Sequence, residues 1–135
     1  MQHCFVDSNV WLYALIASQD ADKSRVAEEL IRNETLMIST QIVNEVCVNL
    51  IRKSSVSETD LRKLVASFYR RCTVVTLKES IFLSASHLRG AYRFSFWDSI
   101  VVASALSGGA DVLYTEDMQH GLVVEGQLRL SNPFL

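Results

Sequence analysis

Proline is nearly absent from this chain, at one residue in 135, and glycine is sparse at five. That scarcity excludes a low-complexity, collagen-like or linker-rich chain, and no composition break divides it. Cysteine is also scarce: Cys4, Cys47 and Cys72 are odd in number, widely spaced and free of any Cys-x-x-Cys. A disulfide scaffold is therefore not expected. Neither is a zinc site, because His3, His87 and His120 are scattered and no Cys/His pair has ligand spacing. Three reduced thiols fit a cytoplasmic protein. An excess of basic charge is missing too, with 13 basic against 15 acidic residues and a net charge of −2. The usual electrostatic footprint of nucleic-acid binding is thus lacking, unless local acids hold cations that bridge to phosphates. No run of about 18 apolar residues and no charged-then-apolar leader occurs, so neither a membrane span nor a signal peptide is expected.

What is present is apolar residue in quantity, 49% of the chain, enough for one domain with a sizeable core. The chain is organised around Phe94 to Leu106, whose sequence FSFWDSIVVASAL is apolar almost all round and predicts a buried helix. Asp98 in its first turn needs a reason, because burying an unpaired carboxylate is costly. Ser95 with Asp98 fits a helix-start signal, and an acid there suits the helix dipole. A metal site shared with acids from other segments is the competing reason.

The remaining pattern alternates. Short apolar runs at 3–6, 36–38, 73–77 and 111–114 read as strands, with weaker candidates at 122–124 and 128–130. Helical spacing covers 8–17, 20–33, 40–53, 57–69, 79–88 (stopped by Gly90) and 96–107. This alternation predicts an α/β domain with a mainly parallel sheet and helices on both faces. The helices at 20–33, 40–53 and 57–69 exceed what plain alternation needs, and the surplus pair suits an arm for pairing with another chain.

In such a sheet, ligands bind beyond the carboxyl ends of the strands. Asp7 directly follows the first strand, and Asp117 follows the fourth. Glu45 lies in an early turn of the helix after the second strand, and Asp98 starts the helix that leads into the fourth. Four acids from four segments therefore fall on one edge. Each has a plainer reading as a cap, a turn residue or a solvated helix residue, but those readings leave the shared edge a coincidence. Clustered carboxylates raise one another's pKa unless cations neutralise them. All-oxygen donors favour Mg²⁺ or Mn²⁺, and such ions point to phosphodiester chemistry.

These residues resemble a known family. The segments Val6-Asp7-Ser8-Asn9-Val10, Ser39 through Glu45, Phe96-Trp97-Asp98-Ser99-Ile100 and Leu113 through Gly121 are similar to those of PIN-domain ribonucleases. The match is closest to VapC-type toxins of bacterial toxin–antitoxin pairs and covers nearly the whole chain. The resemblance implies a single PIN-like nuclease domain over 1–135, three-layered α/β/α, with a mainly parallel sheet of four to five strands. It implies that Asp7, Glu45, Asp98 and Asp117 form the acidic quartet, with Asp7, Asp98 and Asp117 the main ligands of Mg²⁺ or Mn²⁺. Asn9, Thr115 and Glu116 match positions that support the pocket. The implied activity is metal-dependent hydrolysis of a structured RNA such as a transfer RNA or a ribosomal RNA loop. The implied partners are a cognate antitoxin and a second copy of the chain. A groove between the early helices, with Trp11, Leu12 and Leu15 as candidates, would take an apolar segment of the antitoxin.

Arg93, Arg52 and Lys53 are candidates to hold the RNA backbone, against the plainer reading of a solvated face. Tyr92, Phe94, Phe96 and Trp97 stand near enough to stack on RNA bases, although core packing is the expected role of Phe96 and Trp97. Two other classes compete. A phosphoacceptor receiver domain wants two acids after the first strand and an acceptor Asp after the third, where Ser8, Asn9 and Thr76-Leu77-Lys78 stand instead. An Asp-nucleophile phosphatase wants a second Asp where Asn9 stands. A non-catalytic PIN-like module acting by protein contact is opposed by the intact quartet.

Overall fold

A computed structural model describes residues 2–16 and 20–135, with Asn33 described through its backbone. The order of elements is β1 (His3–Val6), α1 (Ser8–Leu15), α2 (Ala21–Asn33), β2 (Thr35–Ser39), α3 (Thr40–Lys53), α4 (Glu58–Arg71), β3 (Thr73–Val75), α5 (Glu79–Tyr92), α6 (Phe96–Ser107), β4 (Val112–Tyr114), β5 (Val123–Val124) and β6 (Leu128–Ser131). The sheet runs β3-β2-β1-β4-β6-β5. Every pairing is parallel except that of β5 with β6. The α5–α6 pair lies against β2 and β3 through α6, and α1 packs on α2 and α3, giving a three-layer α/β/α domain.

Burial explains the short strands. Cys4, Phe5 and Val6 are fully enclosed between β2 and β4, as expected of parallel strands covered on both faces. Helix α6 is buried from Ser99 to Ala105. Its two enclosed serines bond backward along their own helix, Ser99 Oγ to the Ser95 carbonyl at 2.8 Å and Ser104 Oγ to that of Ile100 at 2.7 Å. Their hydroxyls are thereby satisfied without a partner in the core. At the end of α6, Gly108 lies so close to Met37 and Val75 that a Cβ there would collide with both. Any larger residue at this point would force Met37 and Val75 to shift.

The sheet has six strands, not four or five. The two weaker candidates both form, as the two-residue β5 and the four-residue β6, and join through Glu125 and Gly126, both at positive φ (53° and 64°). Glu-Gly is a weaker turn signal than Asn-Gly or Asp-Gly. Strand β3 stops at Val75 rather than Leu77. Helix α5 runs through Gly90 to Tyr92 and is ended by Arg93, which takes a left-handed conformation (φ 62°) and donates its N–H to the Arg89 carbonyl. Packing against α6 outweighs the cost of about 1 kcal/mol for an interior glycine. The expected end of the first helix at Ala17 lies outside the described residues.

Candidate active site

The parallel pairing aligns Val6 with Tyr114 and sets the ends of β1, β2 and β4 on one edge. The backbone leaves that edge through Asp7, Ser39 and Thr115. Asp7 caps α1 and accepts a hydrogen bond from the Ser8 N–H at 2.8 Å. Its other oxygen accepts from Thr115 Oγ1, also at 2.8 Å. The Asp7 N–H donates to the Tyr114 carbonyl at 3.0 Å, which locks the residue to the strand beside it. Ser39 caps α3, placing Glu45 in the helix's second turn. Ser95 caps α6 through the Asp98 N–H at 3.0 Å, so Asp98 opens that helix over the same edge. The helix-start reading of Ser95 and Asp98 and the shared-edge reading therefore hold together.

Glu45 is held at both oxygens. Ser8 Oγ donates to Oε2 at 2.8 Å, and the Trp97 indole Nε1 donates to Oε1 at 2.7 Å. Asp117 accepts from Asn9 Nδ2 at 2.8 Å. Asn9 Oδ1 in turn accepts from the Glu116 N–H at 3.3 Å. Thr115 Oγ1, which donates to Asp7, also accepts from the Asp117 N–H at 3.2 Å. The loop after β4 is thus pinned to the start of α1 at three points.

The electrostatics join the acids further. Burial pushes the Asp7 carboxyl up to about 7, against the lowering effect of Thr115 and Ser8 and with Glu45 and Asp98 adding to the rise. Glu45 is raised first by burial, then by Asp98 and Asp117, while Ser8 and Trp97 oppose. Asp98 is raised by burial and by Asp117, opposed by its hydrogen bond with Ser95. The four acids named from sequence therefore share one field, and three of them are harder to ionise than free carboxyls. Among the described residues, no group of three or more His, Cys, Asp and Glu stands in a metal-holding arrangement. Glu45 and Asp117 are turned to protein donors instead.

Other expected residues are placed differently. Glu116 faces away from the quartet, in an ion pair with Lys23 of α2 and accepting from the Tyr13 hydroxyl at 3.0 Å. Lys23 also lies over the Tyr13 ring, 5.1 Å from its centre. Arg93 is exposed just before the Ser95 cap. Arg52 and Lys53 are exposed at the last turn of α3, about 12 Å along the helix from Glu45, and the fold does not bring them to the acids. Phe96 and Trp97 are 44% and 52% exposed, which overturns their expected core role. The first turn of α6 projects past the sheet edge, and an all-round apolar pattern cannot show where burial stops. Ser8, Lys23 and Tyr13 were not foreseen in the site, and Trp97, expected near the RNA or in the core, was not foreseen as a partner of Glu45. Only Ser8 carried a signal, standing next to Asp7 at the strand end.

The thiols are unpaired, and burial first raises each of them, Cys4 to about 12. A groove of about 570 Å³ lies away from the acids, lined among others by Trp11, Leu15, Leu36 and Phe68. Leu12 is not among its lining residues. Among the described residues no helix is long and apolar enough to cross a membrane.

A mainly parallel α/β sheet with carboxylates from four elements gathered at one edge defines an oxygen-donor, acid-lined class of α/β domain. The chain belongs to the PIN-domain family, whose model matches residues 4–123. With that membership the receiver-domain alternative falls. Solved structures share the fold at low identity. VapC20 of Mycobacterium tuberculosis, described as a sarcin–ricin loop cleaving toxin, is 20% identical with a TM-score of 0.68, covering 84% of this chain and 89% of its own. A toxin–antitoxin complex from Klebsiella pneumoniae gives 17%, 0.70, 96% and 97%. VapBC2 of Rickettsia felis, bound to a promoter DNA fragment, gives 16%, 0.65, 97% and 100%. No functionally curated protein sequence matches the chain.

Proposed function

We propose that this chain is a metal-dependent endoribonuclease, the toxin half of a toxin–antitoxin pair, acting as a single nuclease domain in the cytoplasm. The observation that carries this reading is the convergence of Asp7, Glu45, Asp98 and Asp117 from four elements on one edge of a PIN fold, where burial and the neighbouring acids raise Asp7, Glu45 and Asp98. A cluster whose members resist ionisation has a use for a cation, and its all-oxygen donors suit Mg²⁺ or Mn²⁺. Asp7, Asp98 and Asp117 are the residues that would hold it. Bound there, the ion would supply Lewis-acid activation of water and charge neutralisation at a phosphodiester.

The chain's own groups set the rest. Thr115 and the Ser8 N–H orient Asp7. Ser8 and Trp97 hold Glu45 as a fixed negative charge beside the other acids. Asn9 positions Asp117. Arg93 is the basic residue placed to meet the RNA backbone. The substrate is a structured RNA such as a transfer RNA or ribosomal RNA loop, in keeping with the activity described for VapC20. The partners are an antitoxin, seated by an apolar segment in the Trp11–Leu15 groove, and a second copy of the chain. Toxin–antitoxin complexes among the similar structures support the first of these.

A second reading, a non-catalytic PIN-like interaction module, has one observation in its favour: the described acids are not assembled into a metal cage. Incubating a pool of transfer and ribosomal RNA with the wild type in Mg²⁺, Mn²⁺ or EDTA, beside Asp7→Asn and Asp98→Asn, separates the two. Discrete cuts that need metal and both acids support the nuclease. Absence of cutting in both metals, with no metal bound by calorimetry, favours the module.

A further inference from the structure

Among the described residues, several aromatic side chains pair with one another, while Tyr69, Phe82, Phe96 and Trp97 are exposed and in no ring pair. Trp11 packs edge-on against Phe68, Tyr13 against Phe134, and Tyr92 stacks on Phe94 at 5.6 Å with its hydroxyl accepting the Glu125 N–H. Those rings are occupied by one another. Trp97 is in no such pair and is half exposed, although tryptophan is highly buried on average. It is nonetheless held in place. Its indole N–H is taken by Glu45 at 2.7 Å, its carbonyl accepts from Gln41 Nε2 at 3.3 Å, and the Ser95 cap fixes the turn it sits on. The neighbouring residue is Asp98. The outcome is a large, oriented π-surface at the lip of the acidic edge, with its one polar atom already engaged and its ring left to solvent.

Loose exposed rings are common and need no explanation. A ring anchored at the indole nitrogen and through its backbone carbonyl is different, because orienting it has already been done before any ligand arrives. Unpaired bases stack on such surfaces regardless of identity, since every base has a π-face. A base inside a duplex has no free face to offer. From this geometry we infer that Trp97 is the seat for one unpaired base of the RNA beside the bond to be cut, holding the base on its ring while its N–H holds Glu45. The inference rests on the ribonuclease reading and adds a requirement for a single-stranded nucleotide at the site.

The test uses the chain's two tryptophans. In Trp11→Phe, all indole emission comes from Trp97. Titration with a single-stranded 2′-O-methyl hexanucleotide, which resists cleavage, should quench that emission and shield it from acrylamide, while the same sequence in a duplex should not. In parallel, steady-state cleavage is compared for Trp97→Phe and Trp97→Leu. Both lose the bond to Glu45 and share any fall in kcat. Only Leu loses the stacking ring, so KM should rise roughly tenfold or more in Leu and far less in Phe. Absence of quenching at saturating single strand, or equal KM values in the two variants, overturns the inference. If the single strand quenches Trp97 but wild type makes no metal-dependent cut, the nuclease reading falls and the base seat stands. If wild type cuts and no quench occurs, the seat alone falls.

Discussion

The two ends of the sheet are made from the same elements and finished in opposite ways. At the carboxyl ends of β1, β2 and β4, carboxylates gather, and the neighbouring side chains are donors aimed at them: Ser8, Asn9, Thr115 and Trp97. At the other end, where β2 begins at Thr35 and Leu36, the Trp11–Leu15 groove opens, its wall mixing Trp11, Leu15, Leu64 and Phe68 with Glu28, Arg32, Glu34 and Arg71. Helix α1 serves both. Ser8 and Asn9 sit at the acids, and Trp11 and Leu15 line the groove one to two turns on. The difference teaches that chemistry and association are separated along one short helix. Each end should therefore be open to alteration without loss of the other.

The largest expected effect lies at the acidic end. Asp98→Asn keeps the size of the side chain and the Ser95 cap but removes a charge from the proposed ion site. RNA cleavage should fall at least about a thousandfold, or ~4 kcal/mol, while binding of an antitoxin-type apolar peptide, measured by calorimetry, stays within about twofold. Equal loss of both would break the separation. The counterpart at the groove end is Phe68→Ala. Phe68 is 2% exposed and meets the Trp11 ring at 4.9 Å, so its removal should cost about 3–5 kcal/mol in denaturant unfolding. Cleavage by the fraction that remains folded should be unchanged.

The acidic end should also destabilise the metal-free protein in a way that pH reveals. The folded-state pKa of Asp7, about 7, lies above its ordinary 3.8. Between those values the folded chain holds a proton that the unfolded chain has released, so stability should fall as pH rises from about 4 to about 7 and stay lowered above that. Glu45 and Asp98 shift in the same direction. Asp7→Asn should remove the largest part, raising stability at pH 8 by up to ~4 kcal/mol while abolishing cleavage. Thermal melts from pH 4 to 8 without divalent ions measure this. A wild type that gains stability across that range would contradict the buried-acid account.

How far these two ends could be read beforehand depends on what kind of signal each residue leaves. The buried strands and the shared edge of Asp7, Glu45, Asp98 and Asp117 follow from apolar runs and the rule that parallel strands end together. The supporting roles of Asn9 and Thr115 were legible only through the resemblance to PIN-domain ribonucleases, and both residues bond to the acids. Lys23 and Tyr13, by contrast, reach Glu116 across 93 and 103 positions of chain, a pairing that no local period encodes. The exposure of Trp97 was hidden for another reason. A helix apolar on every side has no polar face to mark which end leaves the core, so its exposure depends on where α6 passes the sheet edge. Gly90 misled because a stop signal is local, whereas the packing of α5 on α6 is not.

The smallest expected effect offers the sharpest comparison, because it makes one substitution at each end. Helices α4 and α6 both start at a serine whose hydroxyl accepts the N–H three residues on, Ser57 from Asp60 at 3.1 Å and Ser95 from Asp98 at 3.0 Å. Helix α4 walls the groove through Leu64 and Phe68, and α6 carries Asp98. Losing either cap should cost about 1 kcal/mol, so the two variants should unfold at nearly the same denaturant midpoint. Their activities should part. Ser57→Ala moves nothing at the acids and should cleave like wild type. Ser95→Ala frees the first turn of α6, and with it both Asp98 and the Trp97 ring that holds Glu45, so cleavage should drop roughly tenfold. Equal activity in the two would mean that the acids are placed by the sheet alone. A matched stability loss with unequal activity would show that the cap positions the site as well as starting the helix.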